Sequence, residues 1–122
     1  MNMENPLEPV GRAAVAASRE LAALSPEEKA DALRLMAAGV RGAAGRIIRE
    51  NSLDMEEAEK NGRNAAFLDR LLLTPERVEH MACGMEQVAA LPDPVGECIR
   101  EWTRPNGLHI RQVRVPLGVI GF

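Results

Sequence analysis

The chain has 122 residues, with 15 Lys and Arg against 18 Asp and Glu, and a formal net charge of −3. Because the two signs are interspersed, the chain lacks the basic surface that binds a nucleic-acid backbone or an anionic membrane, and we expect a small-molecule or protein partner. Charged residues interrupt the first twenty positions and no apolar stretch is long enough to span a bilayer, so we expect no signal peptide and a cytoplasmic location.

Two helices are predicted in the first part of the chain. Small apolar residues recur at three- and four-residue steps across residues 9–23, which is typical of an amphipathic helix. A second helix begins at the Ser-Pro-Glu-Glu sequence of residues 25–28, which has the form of a capping box with proline in the first turn. Gly39, Gly42 and Gly45 lie inside this helix, and each costs up to about 1 kcal/mol relative to alanine. We therefore expect the helix to be loosened or kinked near its middle.

Further helices are predicted up to residue 91. Acidic residues precede a lysine across residues 51–60, a charge order that suits the helix dipole, and Asn61-Gly62 is a plausible helix end. A short helical stretch is expected at residues 65–71, and Thr74-Pro75 begins another helix by the same capping logic. Four or five helices are therefore expected in all. The buried stripe of the last one is predicted to comprise Val78, Met81, Ala82, Met85, Val88 and Ala89.

The pattern changes after the prolines at positions 92 and 94, which cannot donate backbone hydrogen bonds and so end the helical half. Residues 98–103 and 108–115 are predicted to form a hairpin, joined by Arg104-Pro-Asn-Gly107, whose Asn-Gly pair tolerates positive φ. The apolar residues 116–122 have the character of a buried parallel strand. Such a strand needs neighbours that this sequence does not supply, so we expect the original fold to continue past residue 122.

Several motifs in co-linear order carry a resemblance to a known family. They are Leu68-Asp-Arg-Leu71, Leu73-Thr-Pro-Glu-Arg77, Gln87-Val-Ala-Ala-Leu-Pro-Asp-Pro-Val-Gly96, Trp102-Thr-Arg-Pro-Asn-Gly-Leu108 and Val113-Arg-Val-Pro-Leu-Gly-Val-Ile-Gly121. Together they resemble the γ-glutamyl phosphate reductase (glutamate-5-semialdehyde dehydrogenase) family of the aldehyde dehydrogenase superfamily. The resemblance covers nearly the whole chain. Phe122 and the three glycines at 39, 42 and 45 depart from the family pattern.

The resemblance implies an enzyme that reduces γ-glutamyl phosphate to glutamate-5-semialdehyde with NADPH and releases phosphate, in the pathway from glutamate to proline. It also implies a cysteine thiolate as nucleophile, placed far downstream of the Pro-Leu-Gly-Val-Ile-Gly run, on which the cofactor domain is built. The chain is therefore expected to be an N-terminal fragment that lacks the catalytic cysteine, binds no NADPH and is inactive alone. No catalytic or cofactor-binding residue is assigned within it.

In fold class, the complete enzyme is expected to be α/β and aldehyde dehydrogenase-like, whereas this chain is expected to be a helix-rich α+β piece. We divide it into a helical segment at residues 1–94, a hairpin and possible oligomerisation element at residues 95–115, and the truncated start of the cofactor-binding domain at residues 116–122. The apolar end is expected to cause self-association. The alternative is a non-catalytic helical interaction module that binds a full-length reductase or another partner.

The candidate chemical groups are few. Cys83 is predicted to be a surface thiol on the helix face opposite the apolar stripe, and Cys98 a small buried hydrophobic residue. His80 and Cys83, three positions apart, supply two possible metal ligands without a complementary pair, so no metal site is assigned. Gly118 and Gly121 fail the dinucleotide spacing test, because no glycine-rich loop opening onto a helix follows them.

Asp69 and Arg70 are the candidate substrate-binding residues. They lie within the Leu-Asp-Arg-Leu motif, and an arginine can form a bidentate contact with a carboxylate or phosphate. The alternative interpretation is structural: the two residues pair with each other, or with a helix end, and fix the turn before Thr74.

Overall fold

The computed structural model describes residues 7–121, which form four helices and one two-stranded antiparallel sheet, and the expectation of a helix-rich α+β chain is confirmed. No helix in this described range is long and apolar enough to cross a membrane. The chain divides into two compact units, one of residues 27–91 and the other of residues 1–26 with 92–122. The elements are α1 (Glu8–Ala23), α2 (Pro26–Lys60), α3 (Ala65–Leu71), α4 (Pro75–Ala89), β1 (Cys98–Thr103) and β2 (His109–Val113).

The helix ends follow from local sequence. Helix α2 stops at Lys60 because Gly62 adopts φ +67°, where a residue without a β-carbon is unstrained, and its amide donates to the Glu59 carbonyl. Helix α4 begins at Pro75, and the Thr74 hydroxyl accepts a hydrogen bond from the Arg77 amide at 3.2 Å. These boundaries confirm the predicted stop at Asn61-Gly62 and the predicted start at Thr74-Pro75.

Helix α2 differs from the sequence-based expectation in one respect. It runs without interruption for 35 residues, although Gly39, Gly42 and Gly45 lie within it. Glycine weakens a helix through its conformational entropy rather than by breaking the hydrogen-bond ladder. Arg41, between these glycines, contacts Glu79 and Glu86 of α4, and the glycines do not end the helix.

The core of the chain is small. Within the described residues, the buried apolar side chains are Ala37, Ala58, Val78, Ala82 and Ala89, and Val78 is the only large one that is fully buried. The predicted stripe of α4 is therefore partly wrong, because Met81 and Val88 are exposed. Ala82 and Ala89, four and eleven positions after Val78, are buried on the same face of α4, and Met81 lies off that face. The predicted stripe of α1 has no buried member.

The hairpin forms as predicted, with a bulge. Strand β1 pairs with β2 from Cys98 with Val113 to Thr103 with His109, and the register shifts between Cys98 and Arg100. In the turn, the Gly107 amide donates to the Arg104 carbonyl at 2.9 Å. Only Gly107 takes positive φ, at +85°, so the expected tolerance of the Asn-Gly pair is used by the glycine alone.

The apolar end of the chain, expected to form a buried strand in the complete enzyme, is not paired in the described residues. Residues 114–121 lie outside any strand, because no strand in the described chain is available to pair with them, and Gly118 at φ +81° interrupts the extended backbone. Leu117 is 88% exposed, and Val115, Val119 and Ile120 are also exposed. Phe122, which belongs to the same predicted strand, lies outside the described residues.

Candidate functional site

The last turn of α3, just before the loop that leads to α4, carries the two residues that the sequence nominates for substrate binding. Asp69 and Arg70 are exposed residues near the C-terminus of α3, and they do not pair with each other. The Asp69 carboxylate instead accepts a hydrogen bond from Nη2 of Arg77 at 2.8 Å. Nη1 of the same guanidinium donates to the Leu72 carbonyl at 2.8 Å and also to the Asp69 carbonyl. Asp69 is thus held by Arg77 on α4.

Arg70 has a different environment. Its Nε donates to the Ala66 carbonyl of its own helix at 3.3 Å, and no other contact of its side chain appears among the described residues. Arg70 lines an open groove of about 420 Å³ together with Asn64, Ala66, Phe67 and Leu71. The groove has an apolar floor with one guanidinium at its side, which is suited to a small anion that carries an apolar segment.

A buried asparagine supports this loop from α2. Asn51 is 6% exposed, and it is the only buried polar residue among those described. Its Nδ2 donates to the Leu71 carbonyl at 2.9 Å, and the Leu73 amide donates to its Oδ1 at 2.7 Å. Both functions of the amide are therefore satisfied by loop backbone, which offsets the cost of burying it. Asn51 and Arg77 fix the loop from two sides.

A second polar cluster joins α2 to α4. The Arg41 guanidinium donates to Glu79 at 2.7 Å from Nη2, and to Glu86 at 2.5 Å from Nη1. Hydrogen bonds from Arg41 lower the pKa of the Glu79 and Glu86 carboxyls, and the two carboxylates raise the pKa of Arg41. This cluster is an interhelical clamp, since one guanidinium of α2 bridges two carboxylates of α4.

Cys83 lies in the same cluster, so its prediction as a solvent-facing thiol needs correction. It is half-buried: its Sγ lies 3.3 Å from Glu79 Oε1 and 3.6 Å from Nη2 of Arg41. The neighbour of Cys83 is thus Glu79, one turn earlier, rather than the exposed His80. Cys98 is also half-buried, and its Sγ lies 3.4 Å from the Arg100 carbonyl.

Comparison with known proteins gives the same name repeatedly. A γ-glutamyl phosphate reductase of Anoxybacillus flavithermus is 52% identical over 105 residues, which cover 86% of this chain. One from Rhodopseudomonas palustris is 51% identical over 111 residues, which cover 91% of the chain. This chain is a homologue of the γ-glutamyl phosphate reductases. It spans about a quarter of the length of these relatives, 25% and 26% respectively.

Solved reductases also share its fold. The crystal structure of the γ-glutamyl phosphate reductase of Thermotoga maritima matches 92% of the chain with a TM-score of 0.86 and 33% identity. The Saccharomyces cerevisiae reductase matches 89% with a TM-score of 0.80 and 28% identity. The chain covers 27% and 28% of those two proteins. No family model matches the chain.

Gly118 and Gly121 are the two glycines considered for a dinucleotide-binding turn. Gly118 adopts φ +81°, and residues 114–121 lie outside any helix or strand. A dinucleotide pyrophosphate is held by a glycine-rich turn together with a helix N-terminus. We therefore assign none of residues 7–121 to the binding of a dinucleotide cofactor.

Sequence reasoning missed the residues that organise the site. Asn51, Arg41 and Arg77 each act across at least five positions of sequence. Arg77 ends one of the family motifs, but no local pattern indicates its contact with Asp69. The signal in the sequence was an asparagine in the middle of a helix, where it lowers helix propensity and so calls for a tertiary partner.

Proposed function

We propose that this chain forms part of an NADPH-dependent γ-glutamyl phosphate reductase, which makes glutamate-5-semialdehyde and phosphate in proline biosynthesis. About 50% identity to proteins of that name over some nine-tenths of the chain supports the proposal. The TM-score of 0.86 to a solved reductase supports it independently of the exact sequence. In this role α2 to α4 and the hairpin support the fold of the enzyme, and no residue of the described range is assigned to the chemical step.

A chimeric enzyme provides the test. Residues 7–121 would replace the matching segment of the Anoxybacillus flavithermus reductase, and NADP reduction by glutamate-5-semialdehyde in the presence of phosphate would be measured. We expect an active enzyme, because the two segments share half of their residues. A matched control replaces the same segment with that of the Saccharomyces cerevisiae reductase. A folded chimera of our chain without activity, beside an active control, would count against the proposal.

The isolated chain is expected to have no reductase activity. The nucleophile of this chemistry is a cysteine thiolate with access to substrate. Cys83 instead lies between Arg41 and Glu79 in the interhelical clamp, and Cys98 lies in the bulged strand. Purified chain should show no turnover, and Cys83→Ser and Cys98→Ser should behave identically to it. Turnover that either substitution abolishes would contradict this expectation.

The second candidate is a non-catalytic module that binds a full-length reductase or another partner. The exposed apolar side chains favour it, since Leu35, Leu117 and Ile120 are 74%, 88% and 62% exposed. Mixing the chain with a full-length reductase and measuring sedimentation would separate the two candidates. A stoichiometric complex with unchanged reductase activity supports the module, whereas independent sedimentation supports the enzyme segment.

A further inference from the structure

We propose that Arg70 binds the carboxylate of the glutamyl substrate, a proposal that rests on the proposed function. Asp69 does not contact the substrate in this proposal and instead positions the loop next to Arg70. The name of the relatives gives a substrate with a phosphate and a glutamyl group, and the glutamyl group carries a carboxylate. A guanidinium matches a carboxylate with two parallel hydrogen bonds. Arg70 is the described residue that presents such a group at the groove of α3.

The structure separates the two motif residues by their contacts. The Asp69 carboxylate is hydrogen-bonded to Arg77, which also holds two loop carbonyls. Among the described residues, the Arg70 side chain makes one hydrogen bond, from Nε to the Ala66 carbonyl at 3.3 Å. Its Nη1 and Nη2 are therefore available to bind a ligand. Asp69 thereby positions the loop, and Arg70 carries the binding group.

The groove supplies the rest of the recognition. Phe67 is 43% exposed and lies beside Leu71, so the methylene chain of a glutamyl group has an apolar surface to cover. The guanidinium of Arg63 lies 5.1 Å from the centroid of the Phe67 ring and adds positive charge nearby. Both features favour a ligand that combines a short aliphatic chain with negative charge.

The loop that directly follows Arg70 is fixed by two side chains from other helices. The buried Asn51 amide is hydrogen-bonded to the backbone of Leu71 and Leu73. The Arg77 guanidinium is hydrogen-bonded to the Asp69 carboxylate and the Leu72 carbonyl. A buried polar side chain is a costly way to close a short loop. Rigid support behind a binding residue lowers the entropy lost when a ligand is bound, which is what a substrate anchor requires.

Nuclear magnetic resonance titration of the complete chain tests the assignment, with L-glutamate and inorganic phosphate as separate ligands at constant ionic strength. Glutamate should shift amide signals of residues 64–71, and Arg70→Gln should weaken its binding at least about fivefold. Arg70→Lys should be intermediate, because it keeps the charge and loses the fork. Arg46→Gln, an exposed arginine of α2, removes the same charge and should leave binding unchanged.

Three outcomes would overturn the assignment: no glutamate-dependent shift at residues 64–71, equal weakening by Arg46→Gln, or a response to phosphate without one to glutamate. In the chimeric reductase, Arg70→Gln should raise KM for glutamate-5-semialdehyde while leaving kcat nearly unchanged. An unchanged KM would likewise overturn the proposal. An active chimera with unchanged KM would reject Arg70 as anchor without rejecting the reductase function, so the two failures are distinguishable.

Discussion

The helices of residues 27–91 and the hairpin of residues 98–113 are held in different ways. Helix α2 contacts α4 through Arg41 and Glu79. It also contacts the loop before α4, where Asn51 is hydrogen-bonded to the backbone of Leu71 and Leu73. The hairpin depends on its own backbone ladder and on exposed pairs such as Arg114 with Glu97. All buried residues of the described chain lie in residues 37–89.

This difference separates a unit that is stabilised by specific side-chain contacts from one that is stabilised mainly by backbone pairing. The helical unit satisfies its buried polar groups internally, so its stability depends on a few specific contacts. An isolated two-stranded sheet is marginal in water and gains stability when other elements pack on it. We propose that the hairpin and residues 114–121 present a surface that the rest of a reductase completes.

The largest effect is expected from Asn51→Ala in the helical unit. The substitution leaves the Leu71 carbonyl and the Leu73 amide without their partner, which should lower the free energy of unfolding by about 2–4 kcal/mol. Ser52→Ala removes only an exposed hydroxyl contact with the Ile48 carbonyl and is the matched control. Urea unfolding followed by circular dichroism measures both. Equal unfolding midpoints for the two variants would show that the hydrogen bonds of Asn51 to the loop are not stabilising.

The Arg41 clamp should give the next effect, and its effect should depend on pH. Because the pKa values of Glu79 and Glu86 lie below the ordinary value of 4.5, the clamp stabilises the fold above that value and is lost as pH falls through the lowered values. Arg41→Met should lower the melting temperature at pH 7, and the difference should shrink below about pH 4.5. Arg46→Met is the control. A difference that persists at pH 3 would contradict an ion-pair origin.

Gly107→Ala should affect the hairpin without affecting the helices. A β-carbon is strained at φ +85°, so the substitution should destabilise the hairpin by about 1 kcal/mol. Gly121→Ala is the control, since no positive φ is required there. Amide exchange should accelerate at residues 98–113 and stay constant in α2. Equal acceleration in both regions would show that the two units unfold together.

Deletion of residues 116–122 should have the smallest effect on stability and a visible effect on association. These residues pair with no strand in the described chain, and Leu117 and Ile120 are largely exposed. We propose that they cause self-association, as exposed apolar segments do. Sedimentation velocity should show larger species for the full chain than for the deletion. A monomeric full chain at high concentration would remove this proposal.

Local rules predicted the elements well and the contacts poorly. The Thr74 side chain caps the start of α4, and the positive φ of Gly62 ends α2. The local sequence is therefore sufficient to predict these two helix ends. The interhelical role of Arg41 depends on the register of two helices, which local patterns do not determine. The strand expected at residues 116–122 belongs to the complete enzyme and stays a prediction, because a strand exists only when another pairs with it and the described chain offers none.

Hydrogen exchange, measured residue by residue on the chain alone and within the chimeric reductase, tests the central claim most directly. The account predicts that amides of α2 and α4 have similar protection in both contexts. It also predicts that residues 98–121 gain strong protection only within the complete enzyme, where the rest of the fold covers them. Equal protection of residues 98–121 in the two contexts would contradict the claim that this surface belongs to a larger reductase fold.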